Sequence, residues 1–141
     1  MSQVEAIYLT LANLDLGGIP SRNLPEINLL VEQGDMPVRL LMPSTRGEQE
    51  FVRVGSTQKV RWTIRDLCLW APVSAGSGIE QYAAAMQAYI VAYLAALKDF
   101  YGGGLTPQSH VTGATFQMTP VTWGEMSCWA VDAQISVEEY L

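Results

Sequence analysis

Residues 78–101 read GIEQYAAAMQAYIVAYLAALKDFY, the one long helical pattern in a chain that otherwise alternates like strands. Ile79, Tyr82, Ala83, Met86, Ile90, Tyr93, Leu94, Leu97 and Tyr101 recur at spacings of three and four, which places them on one apolar stripe. The opposite side lacks the usual charged face. It carries Ala84, Ala85, Ala88, Val91, Ala92, Ala95 and Ala96, with Gln81, Gln87, Lys98 and Asp99 as polar relief. A lone domain needs only one buried stripe. The second, small-residue face therefore has two readings: contact with a neighbouring copy, or a helix sunk deep in its own sheet. Ser77 is the expected N-cap, Glu80 lies in the first turn where the helix dipole favours an acid, and Gly102, Gly103 and Gly104 end the helix.

Working outward from this helix, strands surround it. Residues 59–70, KVRWTIRDLCLW, place Val60, Trp62 and Ile64 on one face and Lys59, Arg61, Thr63 and Arg65 on the other. After Asp66 both faces turn apolar, so that end is expected to be covered on both sides. Residues 36–42 and 50–54 read as shorter strands, 44–49 and 55–58 as turns, and 27–31 as a short strand in a proline-bearing segment. Beyond the helix, 110–118 and 123–137 read as strands, with Pro120 at their hairpin bend (119–122) and a loose tail from Glu138. At the start, Val4, Ile7, Tyr8, Leu11 and Leu14 have helical spacing, with Ser2 as cap and Glu5 three residues on, and Gly17, Gly18 and Pro20 stop the helix. The order predicts one α+β domain over 1–141. It has a mainly antiparallel sheet, an N-terminal helix and one long helix on one face, and a C-terminal β-hairpin.

Composition narrows the function. Apolar residues are 49% of the chain and charged residues 16%, against roughly 25% charged in average domains, which favours some surface buried against partners. The net charge of −6 argues against a duplex-binding domain, and like charge lets DNA pass a surface without sticking. Cys68 and Cys128 have no paired spacing. They read as buried thiols in a reducing compartment, with a disulfide between their strands as the other reading. The N-terminal residues carry no basic n-region, and the longest apolar run is too short and too rich in Ala and Tyr for a membrane span.

No constellation for catalysis, cofactor or metal emerges. His110 is the only histidine and has no ligand-type residue at useful spacing. Glu48 with Glu50, and Glu138 with Glu139, read as solvated charge clusters rather than a glycosidase pair. Lys59, Arg61 and Arg65 share one strand face. They read as a solvated face balanced by Glu48, Glu50 or Asp66, as an inter-subunit pairing row, or as phosphate contacts. The four tryptophans read as core or interface anchors.

Several of these pieces resemble the tail-terminator (tail-completion, head–tail joining) proteins of long-tailed bacteriophages. They are the N-terminal helix MSQVEAIYLTLANL, the strand centre WTIRDLCLW at 62–70, the linker APVSAGSG, the Tyr- and Ala-rich helix and the closing hairpin. The resemblance covers nearly the whole chain and is one of layout. It implies a homohexameric ring in the tail or neck of a virion, assembled in the host bacterial cytoplasm. Its partners would be the major tail tube protein and a head–tail connector or stopper protein, with DNA as passing cargo and no membrane. It also implies a contact loop between early strands, matched here by Ser44, Thr45, Arg46, Gly47, Glu48 and Gln49. For the subunit interface, the expected residues are Lys59, Arg61 and Arg65 with Ala84, Ala88, Val91 and Ala95. Alternatives are another neck or tail-tube component, a small-ligand-binding α+β module with a pocket at Trp62, Tyr82 and Trp129, and, weakest, an enzyme.

Overall fold

The computed structural model of the chain describes residues 3–23, 31–44, 49–54, 57–73 and 78–141. Helix α1 (Val4–Ala12) comes first. Strands β1 (Ser21–Arg22), β2 (Val38–Pro43), β3 (Glu50–Val54) and β4 (Thr57–Pro72) follow, then helix α2 (Ala83–Leu97) and strands β5 (Ser109–Trp123) and β6 (Met126–Tyr140). The strands form one sheet of order β1-β2-β4-β6-β5, with β3 beside β2 on the same edge of β4; all pairs except β1–β2 are antiparallel. The α+β class and the mainly antiparallel sheet are as the sequence predicts.

The strand pleat sorts β4 into two faces. Ile64 and Cys68 join Val111, Val131, Ile135 and Val137 under the helices, where Ile7, Tyr8 and Leu11 of α1 and Met86, Tyr89, Tyr93 and Leu97 of α2 complete the main core. Leu67 and Leu69 point the other way, into a smaller core with Val31, Val38, Leu40, Cys128 and Ala130. The strand end beyond Asp66 is thus covered on both faces. Cys68 and Cys128 are free and lie in different cores, so they do not pair.

Several expectations need correction. Residues 78–101 are not one continuous helix: single 3-10 turns at Ile79–Gln81 and Lys98–Phe100 flank α2. The buried stripe is Met86, Tyr89, Tyr93 and Leu97, while Leu94 and Tyr101 are exposed. Leu14 lies beyond the end of α1. Pro120 does not make the hairpin bend. The strands continue to Trp123 and Met126, and Gly124 with φ of 62° turns the chain. A left-handed residue suits a two-residue hairpin, and Pro120 is tolerated because β5 is an edge strand. The tail is not loose, since β6 runs to Tyr140 and Glu139 is fully buried. The Glu139 carboxylate accepts hydrogen bonds from the Trp62 indole (2.8 Å) and from the Gln3 amide that opens α1. The expected caps Ser2 and Ser77, and most of the expected strand at 27–31, lie outside the described residues.

Candidate functional site

The outer face of α2 is an unusual surface for a helix in contact with solvent. None of the fifteen residues of α2 is charged. Ala84, Ala88, Val91 and Ala95 are all exposed, Val91 to 66% and Leu94 beside it to 42%. The helix is therefore not sunk in its own sheet. One flank of this face, Ala85, Ala88 and Ala92, forms a groove of about 360 Å³ with Leu16, Gly17, Ile19, Pro37, Trp70 and Tyr89. Trp70 and Tyr89 meet edge to face at 5.8 Å, and the series continues through Tyr93 to Phe116. Trp62, Tyr82 and Trp129, the residues expected around a ligand pocket, pack instead against the main core.

The basic row lies on the opposite face of the sheet and is paired within the chain. Lys59 and Arg61 both reach Glu138, at 3.2 and 3.1 Å, and Arg61 also bridges to Glu50 at 3.1 Å. Arg65 holds Asp132 through two parallel hydrogen bonds of 3.0 and 2.9 Å, the bidentate geometry that suits a guanidinium. The register explains these partners: Arg61 lies opposite Glu138 on one side and Glu50 on the other. Partial burial works against the Glu138 charge, but the hydrogen bonds from Lys59 and Arg61 win and hold its pKa below the usual range. Among the three basic residues, Arg61 keeps the most surface, at 48% exposure.

Asp66 does not balance this row. It sits on the helix side, fully buried, and its Oδ2 accepts Nε and Nη2 of Arg39 at 3.0 and 2.6 Å together with the Tyr93 hydroxyl. Arg39 also donates to the Leu11 and Leu14 carbonyls at 2.9 and 3.3 Å, which supplies donors at the C-terminal end of α1. Burial opposes the guanidinium charge, yet the adjacent carboxylate raises the Arg39 pKa above its ordinary value. Sequence reasoning missed this cluster. Its signal was the single charge in the apolar run VRLLM at 38–42.

No family model and no curated protein matches this chain. Among the described residues there is no cluster of His, Cys, Asp or Glu that could hold a metal ion, and no helix is long and apolar enough to cross a membrane. Of the expected contact loop, Thr45 to Glu48 lie outside the described residues. Its two ends converge on one residue. The Ser44 amide donates to the Thr63 carbonyl at 3.0 Å, and the Gln49 side chain accepts from the Thr63 amide (3.0 Å) and donates to its carbonyl (3.1 Å). Thr63 falls between the stretch of β4 that pairs with β2 and the stretch that pairs with β3, so the Gln49 amide group fills that gap in the ladder.

Proposed function

We propose that this chain is the subunit of a ring that caps the tail tube of a long-tailed bacteriophage, ends tube polymerisation and provides the joint to the head connector, with DNA passing through the lumen. The observation that carries the reading is the uncharged α2 face, exposed along its whole length in a chain of few charges. Such a face leaves apolar area in water until another protein covers it. The net charge of −6 and the layout around WTIRDLCLW support the same reading.

In this account the role is mechanical. The ring covers the growing edge of the tube, and its opposite face receives the connector. Ala84, Ala88, Val91 and Ala95 contact the neighbouring subunit. Arg61 is the member of the basic row with enough exposed surface to add a second contact, while Lys59 and Arg65 are more enclosed by their own acids. The loop at 44–49, held at both ends by Thr63, reaches the tube or a neighbour. A closed ring follows from two different patches joined by repeated rotation.

The test is solution mass by light scattering, with negative-stain images of the same sample, alone and with tail tube protein. A six-fold ring, free or formed on the tube, supports the reading, and a monomer that never engages the tube refutes it. The groove beside α2 favours a second reading, a small apolar ligand held between Trp70 and Ala88, which a native mass above that of the chain would reveal.

A further inference from the structure

Two apolar features lie far apart on the helix-bearing face of the sheet. One is the groove at Trp70, Tyr89 and Ala88. The other is Phe51, 60% exposed and the only described aromatic with more than half its surface in solvent. Phe51 pairs with Val60 across β3 and β4, so it shares the face of Val60 and Trp62. Val60 and Trp70 are separated by about 33 Å of strand at ~3.3 Å per residue. Phe51 cannot fill the groove of its own chain.

We propose that the groove receives Phe51 of a second copy of this chain. The inference rests on the ring reading and names the two patches that such a ring joins. A projection at one end of a face and a recess at the other can join reciprocally about a two-fold axis or head to tail. The ring reading selects the head-to-tail contact, the heterologous one that closes by repeated rotation. The charges fit. The groove is lined by no charged side chain, and the acid beside Phe51, Glu50, is already neutralised by Arg61 at 3.1 Å, so the incoming strand brings no unpaired acid there. The chemistry fits as well. Trp70 and Tyr89 present aromatic partners to an arriving phenyl ring, in a groove whose other wall is alanine.

The test uses three variants of the full chain. F51C and A88C are prepared separately, then oxidised mildly alone and as a mixture; the native Cys68 and Cys128 are buried and do not compete. The expected result is a disulfide-linked dimer that forms several-fold faster in the mixture than in either variant alone. F51E is expected to lose the oligomer mass seen for the unsubstituted chain while keeping its thermal melt. If A88C alone crosslinks as fast as the mixture, the α2 faces meet one another and the inference fails. If the unsubstituted chain assembles but the mixture shows no excess crosslinking, the inference also fails while the ring survives on another interface. A chain that stays monomeric with and without tube protein overturns both.

Discussion

Arg39 on β2 and Asp66 on β4 form an ion pair in which neither side chain touches solvent, with Nη2 and Oδ2 2.6 Å apart. The pair joins four elements, because Arg39 also holds the end of α1 and Asp66 also holds Tyr93 of α2. Desolvation offsets much of the Coulomb attraction in such a pair, so its contribution is positional more than energetic.

Removing one partner is a different matter. Arg39→Leu strands a buried carboxylate and should cost about 3–5 kcal/mol in urea denaturation. Replacing both residues, Arg39→Met with Asp66→Leu, should restore most of that loss. A double variant as unstable as the single would mean that the contacts to Leu11 and Leu14 matter more than the charge.

The core also sets an alkaline limit. Burial pushes the Tyr8 hydroxyl up to about 12 and raises Tyr89, Tyr93 and Cys68 above their ordinary values, with the Asp66 charge adding to the last three. The unfolded chain releases these protons near pH 9 to 10 while the folded chain keeps them. The stability these groups contribute should therefore be level below pH 9 and fall as pH rises beyond it. The slope approaches about 1.4 kcal/mol per pH unit for each such group. Urea titrations at pH 8, 10 and 11 check this, and a flat profile would contradict it.

The acid limb has the opposite sign. Glu138 is held below its ordinary 4.5 by Lys59 and Arg61 despite partial burial, so its contribution is present above about pH 4.5 and lost as pH falls through its lower folded value. Glu138→Gln should flatten that part of the pH profile and leave the alkaline limb unchanged.

The two arginines of the row should separate. Arg61→Glu sets an acid between Glu50 and Glu138 at a more exposed position, and is expected to weaken ring assembly or tube docking with a smaller change in melting temperature than Arg65→Glu. Arg65→Glu sets a second acid against the buried Asp132 and should lower the melting temperature itself. Mass by light scattering beside a thermal melt distinguishes them, and unchanged assembly in Arg61→Glu would remove that residue from the interface.

At the hairpin, Gly124→Val should cost about 1–2 kcal/mol, since a side chain there must adopt a left-handed backbone. Pro120→Val, five residues from the end of the described turn at Glu125, should cost little. The reverse ranking would place the turn where the proline suggested.

That contrast shows where the sequence was legible. The periodicity of 59–70 separates the two faces of β4, and that of 78–101 finds Met86, Tyr93 and Leu97 of the buried stripe, because apolar spacing is a property of the segment itself. Gly124 was overlooked because Pro120 is the stronger punctuation, and only the topology reveals that β5 is an edge where a proline does no harm. Asp66 looked like surface charge because its partner Arg39 is distant in sequence. Tyr89 has the spacing of the stripe, three from Met86 and four from Tyr93, but Ile90 beside it fits as well, and only the contact with Trp70 distinguishes them. The exposed alanine face was visible as composition, but the groove along its flank needs residues 16–19 and Pro37, which no local pattern connects to the helix.

Strand β4 also has a consequence for how the chain is made. It pairs with β2 and β3 along one side and along the other with β6, which brings Lys59 against Tyr140 and Pro72 against Cys128. During synthesis β4 emerges long before the strand that must lie beside it, and the apolar faces of β4 and α2 wait for β6 to arrive. The hairpin of β5 and β6 can close on its own short turn, but the sheet cannot. Folding is therefore delayed until translation has passed residue 140, and a nascent chain halted at residue 120 should remain protease-sensitive throughout, with no stable half left behind.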